Sequence, residues 1–201
     1  MTKRILSLVI VFAIACISVV NAQKLAIYGD MWENGTNSEC NWYFKANKAC
    51  MQYKFKDDKQ VEYDIRVIMT AGSNQLKVVT FQGGQRFDAN IPVDSVRGSS
   101  IETVSFFASN STKEFQNFGD CKKYIGRTHM KEYMAFTFEN PLINLSQFKS
   151  FIKNDPVFEW FSSIQGHQFP VQAITASSDG QLIRSYLAKR FEADFSDAIF
   201  E

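Results

Sequence analysis

The sequence lacks the motifs of the common enzyme classes. It holds no Gly-x-Ser-x-Gly nucleophile elbow, no His-Glu-x-x-His zinc motif and no glycine-rich phosphate loop. Only two histidines are present to act as bases. We therefore expect a protein that is not an enzyme, with no catalytic residues, no cofactor and no resident metal.

An excess of charge of one sign is also missing. The chain has 22 lysines and arginines against 21 aspartates and glutamates. Such a balance provides no electrostatic footprint for nucleic acid and no polybasic patch for anionic lipid headgroups. We expect no nucleic-acid partner.

Long hydrophobic runs are missing except in the first 22 residues. There Lys3 and Arg4 precede an apolar run from Ile5 to Val20, and small residues end at Ala22. The run is shorter than the roughly 20 residues that span a bilayer. Residues 1–22 therefore predict a cleavable export signal, with no integral membrane span after cleavage. The bacterial periplasm is the first expectation; the alternatives are the extracellular space, lipid anchoring through Cys16 and an uncleaved anchor.

Cysteine is scarce, and beyond the predicted signal the chain has Cys40, Cys50 and Cys121. An odd number allows at most one intramolecular bridge. Cys40 and Cys50 are the favoured pair, because they flank a short segment and export permits disulfides. Free thiols and, less favoured, a metal site are the alternatives.

What the sequence does have is strand-like alternation. In the run Val61–Thr70, Tyr63, Ile65 and Val67 alternate with polar residues, which predicts a sheet with one apolar face. Ser178-Asp179-Gly180 indicates a hairpin turn, although the spacing of the apolar residues after it also fits a helix. The other predicted strands are Met51–Lys56, Gln75–Phe81, Ile101–Phe107, Glu132–Phe138, Gln168–Ser177, Gln181–Glu192 and Phe195–Phe200.

The period changes after Pro141. Apolar residues then recur every three or four positions from Leu145 to Ile152 and again in Pro156–Ile164, where Asp155-Pro156 is a typical helix start. This pattern predicts two short amphipathic helices that plug the open side of the sheet or, alternatively, form a movable lid over an apolar cavity.

Several short motifs between Lys113 and Glu201 resemble those of a known group. They are Gly119-Asp120-Cys121-Lys122-Lys123-Tyr124, Gly166-His167-Gln168-Phe169-Pro170-Val171, Ser178-Asp179-Gly180 and Asp194-Phe195-Ser196-Asp197-Ala198-Ile199-Phe200. The chain resembles an uncharacterised family of exported bacterial proteins that is similar to the LolA/LolB lipoprotein-carrier superfamily. The resemblance implies an unclosed, strongly curved antiparallel sheet around helices, with an apolar concavity that accepts acyl chains in the carriers.

Together these patterns predict an α+β fold in which residues 23–201 form a single half-barrel domain with two helices on its concave side. We expect a carrier or sensor that binds a lipid or acylated ligand and that has an envelope protein as a further partner. The alternative is a structural or protein-interaction domain with a plugged core. The predicted cavity residues are Tyr63, Ile65, Val67 and Phe81 on the sheet and Phe151, Phe158, Trp160 and Phe161 on the helices.

Overall fold

A computed structural model describes residues 24–93, 104, 106–148 and 167–201. Within these residues eleven strands form one antiparallel sheet in the order β6-β5-β4-β3-β2-β1-β11-β10-β9-β8-β7, so the sheet is unclosed. The strands are β1 (Lys24–Glu33), β2 (Thr36–Lys45), β3 (Lys48–Lys56), β4 (Glu62–Thr70), β5 (Gln75–Gln82), β6 (Gln85–Pro92), β7 (Phe106–Phe115), β8 (Gly119–Arg127), β9 (Lys131–Glu139), β10 (Gln168–Ser177) and β11 (Leu182–Glu192).

The sheet curls around one of its faces. Asn117, in the turn between β7 and β8, donates a hydrogen bond to the Lys189 carbonyl of β11 at 2.6 Å. In a flat sheet β8 and β11 would be about 14 Å apart, since neighbouring strands are spaced by about 4.8 Å. Phe118 of the same turn contacts Phe191, with ring centroids 5.5 Å apart. Phe191 is paired with the buried Ile27 of β1. We call this face the concave face.

The concave face carries the main hydrophobic core. It includes Leu25, Trp42, Met51 and Phe169, each at most 2% exposed. Residues outside the strands also pack into this cluster: Val93, Val104, Ile143 and Phe148 are at most 6% exposed. The described part of the concavity is therefore filled by the chain's own side chains.

The α+β prediction is wrong for the described residues. They contain the unclosed, curved antiparallel sheet as predicted, but no α-helix. The beginning of the first predicted helix is a single 3-10 turn, Leu145–Phe148, which buries Phe148 in the core. Apolar residues three positions apart fit a 3-10 turn as well as an α-helix. The rest of the predicted helical segment lies outside the described residues.

The disulfide prediction is also wrong. Cys40 and Cys50 are free thiols. Cys40 belongs to the core of the concave face, whereas Cys50 packs in a second cluster on the opposite face. Two side chains that point away from each other across a sheet cannot approach to the Cβ separation of about 4 Å that a bridge needs.

Candidate binding groove

A short segment crosses the face opposite the concave one. We call this segment, residues 193–201, the strap, and the face beneath it the strap face. It contains the 3-10 helix Asp197–Phe200, capped by the Ser196 hydroxyl, which accepts from the Ala198 amide at 3.3 Å. The prediction of a last strand over Phe195–Phe200 is therefore wrong.

The strap covers a small apolar cluster. Its aromatic and aliphatic residues Phe195, Ile199 and Phe200 are half-buried against residues from β1 to β5. Phe195 contacts Tyr43 edge to face, with centroids 5.2 Å apart. The remaining members of the cluster beneath the strap are Ala26, Tyr28, Cys50, Ile68, Val79 and Phe81.

Basic side chains from the sheet hold the strap. Lys24 and Lys45 contact the Asp197 carboxylate at 3.1 and 2.5 Å, respectively. Hydrogen bonds from Lys45 and Lys24 lower the pKa of Asp197, and the bond to Asp197 raises the pKa of Lys24. Three main-chain oxygens of the strap, at every third residue, accept from the sheet: that of Phe195 from Lys24, that of Ala198 from Arg66, and that of Glu201 from Lys77 and Arg86.

Beside the strap lies a groove of about 560 Å³, large enough for a small-molecule ligand. Three aromatic residues, Phe55, Tyr63 and Phe81, belong to its lining. By strand register the Phe81 ring is on the strap face, whereas the rings of Phe55 and Tyr63, which stack with centroids 5.0 Å apart, are on the opposite side of the sheet. Its remaining lining residues carry charges of both signs or belong to a turn. The full lining is Glu39, Lys54, Phe55, Lys56, Glu62, Tyr63, Asp64, Phe81 and Gly84.

Most of the groove's carboxylates face a nearby cation or polar donor. Lys56 contacts Glu62 at 2.9 Å, and Asp64 accepts from Arg66 at 3.2 Å. Gln52 donates to both oxygens of Asp64 at 2.9 Å. The Phe81 ring lies beneath the Arg66 guanidinium, 4.8 Å from its centroid. Because Arg66 also binds the strap carbonyl of Ala198, the groove and the strap share one side chain.

Two of the predicted cavity residues, Tyr63 and Phe81, belong to the lining of the groove. By strand register, Phe81 lies opposite Asp64 on the strap face, whereas Val67 packs on the concave face, and Ile65 and Tyr63 share that side. The helical candidates Phe151, Phe158, Trp160 and Phe161 lie outside the described residues. Sequence reasoning did not single out Phe55. This residue lies in the predicted strand Met51–Lys56, so the strand pattern that identified Tyr63 could also have identified it.

Comparisons with known proteins assign no family to the chain. No protein-family profile and no curated protein matches it. Among solved structures, MucB is similar over 89% of this chain and 57% of its own, with 7% identity and a TM-score of 0.37. MucB in complex with MucA(peri) gives 7% identity, 88% and 52% coverage and a TM-score of 0.36. A DUF1329 family protein from Desulfovibrio piger gives 13% identity, 94% coverage of each chain and a TM-score of 0.25. This chain spans just over half the length of MucB.

Neither a membrane-spanning helix nor a metal-binding cluster occurs among the residues that the structure describes. Among those described, none of the helices has the length and apolar character required to cross a bilayer. The described residues also contain no group of three or more histidine, cysteine, aspartate or glutamate side chains placed to hold a metal ion.

Proposed function

We propose that this chain is a non-enzymatic, exported binding protein that holds an amphipathic acyl ligand in the groove beside the strap. The observation that carries the proposal is the groove itself. It combines about 560 Å³ of space with the Phe81 ring and with charged side chains of both signs. Ligand sites are typically concave, with aromatic walls and a few placed polar groups.

The groove offers a different environment to each end of such a ligand. The Phe81 ring provides apolar surface for an acyl chain, because burying such surface gains about 25 cal/mol for each Å² removed from water. Lys54 supplies a positive charge for a carboxylate or phosphate head. Glu62 and Asp64 already have basic partners, so they repel an anionic head less than unpaired carboxylates would.

Two measurements test this proposal. Native mass spectrometry of protein purified from its own host should reveal a co-purifying acyl compound, and palmitate should raise the melting temperature of delipidated protein. Lys54→Gln and Phe81→Ala should each reduce the palmitate shift at least twofold. Lys122→Gln and Phe107→Ala are the matched controls, since both residues are exposed and outside the groove. Ligand-free protein with no shift on adding palmitate would refute the acyl proposal.

A structural or protein-interaction role is the second candidate. The observation that favours it is the filled concave face, where Ile143 and Phe148 are buried in the core from outside the strands. Protein that stays ligand-free in the experiment above, yet co-purifies with a stoichiometric envelope protein, would support this role.

Export to the bacterial periplasm is part of the proposal and rests on residues 1–22. The test is fractionation of the host followed by intact mass measurement. Soluble periplasmic protein that begins at Gln23 is expected. A diacylglyceryl mass on a chain that begins at Cys16 would instead establish lipid anchoring.

A further inference from the structure

We propose that the strap face is a peptide-docking surface for an acidic, aromatic segment of another protein, and that the strap is an intramolecular occupant that such a segment replaces. This inference goes beyond the groove's ligand and does not depend on it. It rests on how the sheet holds the strap.

The sheet binds the strap through side-chain contacts, as a receptor binds a peptide. Among the described residues, no hydrogen bond between backbone groups ties residues 193–201 to a strand. Side chains make the contacts instead, and they reach the main-chain oxygens of Phe195, Ala198 and Glu201 from strands β1, β4, β5 and β6. The carbonyls of Phe195 and Ala198 are backbone groups common to every sequence, so these two contacts accept any chain that adopts the same turn.

The remaining contacts select by sequence. Asp197 lies between two lysines from adjacent strands, and Lys24 also contacts Asp194 at 3.5 Å. Phe195 rests on Tyr43 while the Lys24 ammonium lies 5.4 Å from its ring centroid. Phe200 is approached by Lys48 at 5.9 Å. The surface therefore recognises the order acidic, aromatic, helix-capping, acidic, any residue, apolar and aromatic, as in Asp194–Phe200.

The contacts of the strap are weak enough for another peptide to replace it. The side chains of Asp194 and Asp197 are 88% and 51% exposed, and exposed ion pairs contribute little to stability. Its three apolar residues are only half-buried. Because the strap belongs to the same chain, its effective concentration at the strap face is high. A partner segment must therefore make stronger contacts than the strap does, or bind at a second point as well.

Charge and surface chemistry point to a peptide as the occupant. Six basic residues, one on each of the neighbouring strands β1 to β6, line the path of the strap, and apolar contacts lie among them. Acidic groups and rings on one short segment complement this arrangement. The basic residues are Lys24, Lys45, Lys48, Arg66, Lys77 and Arg86.

The experiment uses the full chain with a protease site inserted at Ala193. After cleavage, a fluorescein-labelled peptide of residues 194–201 is added and its anisotropy is measured. We expect the labelled peptide to bind the cleaved protein at least tenfold more tightly than the uncut protein. A peptide with Asp197→Asn and Phe195→Ala should bind the cleaved protein at least tenfold more weakly. Lys24→Gln with Lys45→Gln in the protein should cause a similar loss, whereas Lys122→Gln with Lys123→Gln should not.

Cys50 supplies a second readout in the intact chain. It is fully buried beneath the strap, while Cys40 is buried on the opposite face and serves as the internal control. The Asp197→Asn variant should label at Cys50 at least fivefold faster than the parent protein, with Cys40 unchanged. Adding unlabelled peptide 194–201 should restore the protection of Cys50.

Three results would overturn the proposal. The first is equal binding of the acidic and neutral peptides to folded, cleaved protein. The second is Cys50 labelling that neither Asp197→Asn nor the peptide alters. The third is a concentration-dependent dimer of the intact chain that peptide 194–201 dissociates, which would assign the strap face to a second copy of this chain.

Discussion

The rings of Trp42 and Phe169 meet nearly at right angles with their centroids 5.7 Å apart, although β1 and β11 lie between their strands. Three strand spacings amount to about 14 Å in a flat sheet. Large side chains bridge part of that distance, and curvature of the sheet provides the rest. This contact therefore joins the two halves of the sheet across the concave face.

Truncating either ring should weaken the fold strongly. Phe169 is 0% exposed and Trp42 2%, so Phe169→Ala and Trp42→Ala should each lower the free energy of unfolding by about 3–5 kcal/mol. The double variant should lose less than the sum by roughly 1 kcal/mol, because the rings contact each other. Urea denaturation provides the measurement. Phe107→Ala is the control at 70% exposure, and a loss as large there would contradict the argument from burial.

The described thiols should remain separate and unreactive. Burial raises the pKa of Cys40 and Cys50 to about 12 and that of Cys121 to about 11. The thiolate is the reactive form, so at pH 8 the native protein should react with iodoacetamide far more slowly than the unfolded chain. Peptide mapping without reductant should recover Cys40 and Cys50 in separate alkylated peptides after denaturation. A Cys40–Cys50 linked peptide would contradict the placement on opposite faces.

Local sequence patterns predicted several strands of the sheet. Alternation in Val61–Thr70 indicated β4, and the hairpin prediction at Ser178-Asp179-Gly180 is confirmed by the pairing of β10 with β11. Asn34-Gly35 joins β1 to β2 with positive φ at both residues. That dipeptide is a strong hairpin signal and could have identified two strands that the sequence analysis missed.

The strap and the groove depend on partners that are distant in sequence. Lys24 and Asp197 are 173 positions apart in numbering, and neither residue has a local pattern that distinguishes it from an ordinary surface charge. The turn residue Ala46 has φ +46°, a conformation that its residue type does not indicate. Sequence periodicity predicted several of the strands, but not β1, β2, β6 or β8, and not which residues distant in sequence meet on one face.

Gly29 should tolerate no side chain. It lies at the irregularity between β1 and β11, where an added Cβ would be 2.7 Å from the Leu187 carbonyl oxygen and 2.8 Å from the Tyr186 hydroxyl. The backbone atom cannot move without disturbing the sheet, so Gly29→Ala should cost about 1–3 kcal/mol of unfolding free energy. Thermal and urea unfolding test this, with the exposed substitution Ser111→Ala as control. An unchanged stability would show that the sheet relaxes at this position.

Acidification should release the strap before it unfolds the sheet. Hydrogen bonds from Lys45 and Lys24 lower the pKa of Asp197 below its ordinary 3.8. A carboxyl group whose pKa is lowered in the bound strap stabilises the bound strap at pH values above the pKa of the unfolded chain. This stabilisation is lost as the pH falls through the lower pKa of the bound strap. We therefore expect Cys50 to become reactive toward dithiodipyridine below about pH 4, while Cys40 stays protected. Simultaneous exposure of both thiols would indicate global unfolding instead.

Removing the charge of Glu33 should destabilise the protein through the arginine it faces. Arg184 is only 6% exposed and donates to Glu33, whose side chain is 34% exposed. Losing a buried ion's carboxylate partner costs up to about 3–5 kcal/mol when both groups are buried, and the partial exposure of Glu33 reduces this through solvent screening. Glu33→Gln should therefore lower the free energy of unfolding by about 1–3 kcal/mol in urea denaturation at pH 7. Glu62→Gln also removes an ion pair, with Lys56, but the Glu62 and Lys56 side chains are 74% and 56% exposed. This substitution should therefore lower the free energy of unfolding by less than about 0.5 kcal/mol. Equal losses in the two variants would mean that burial of Arg184 does not determine the strength of its pair.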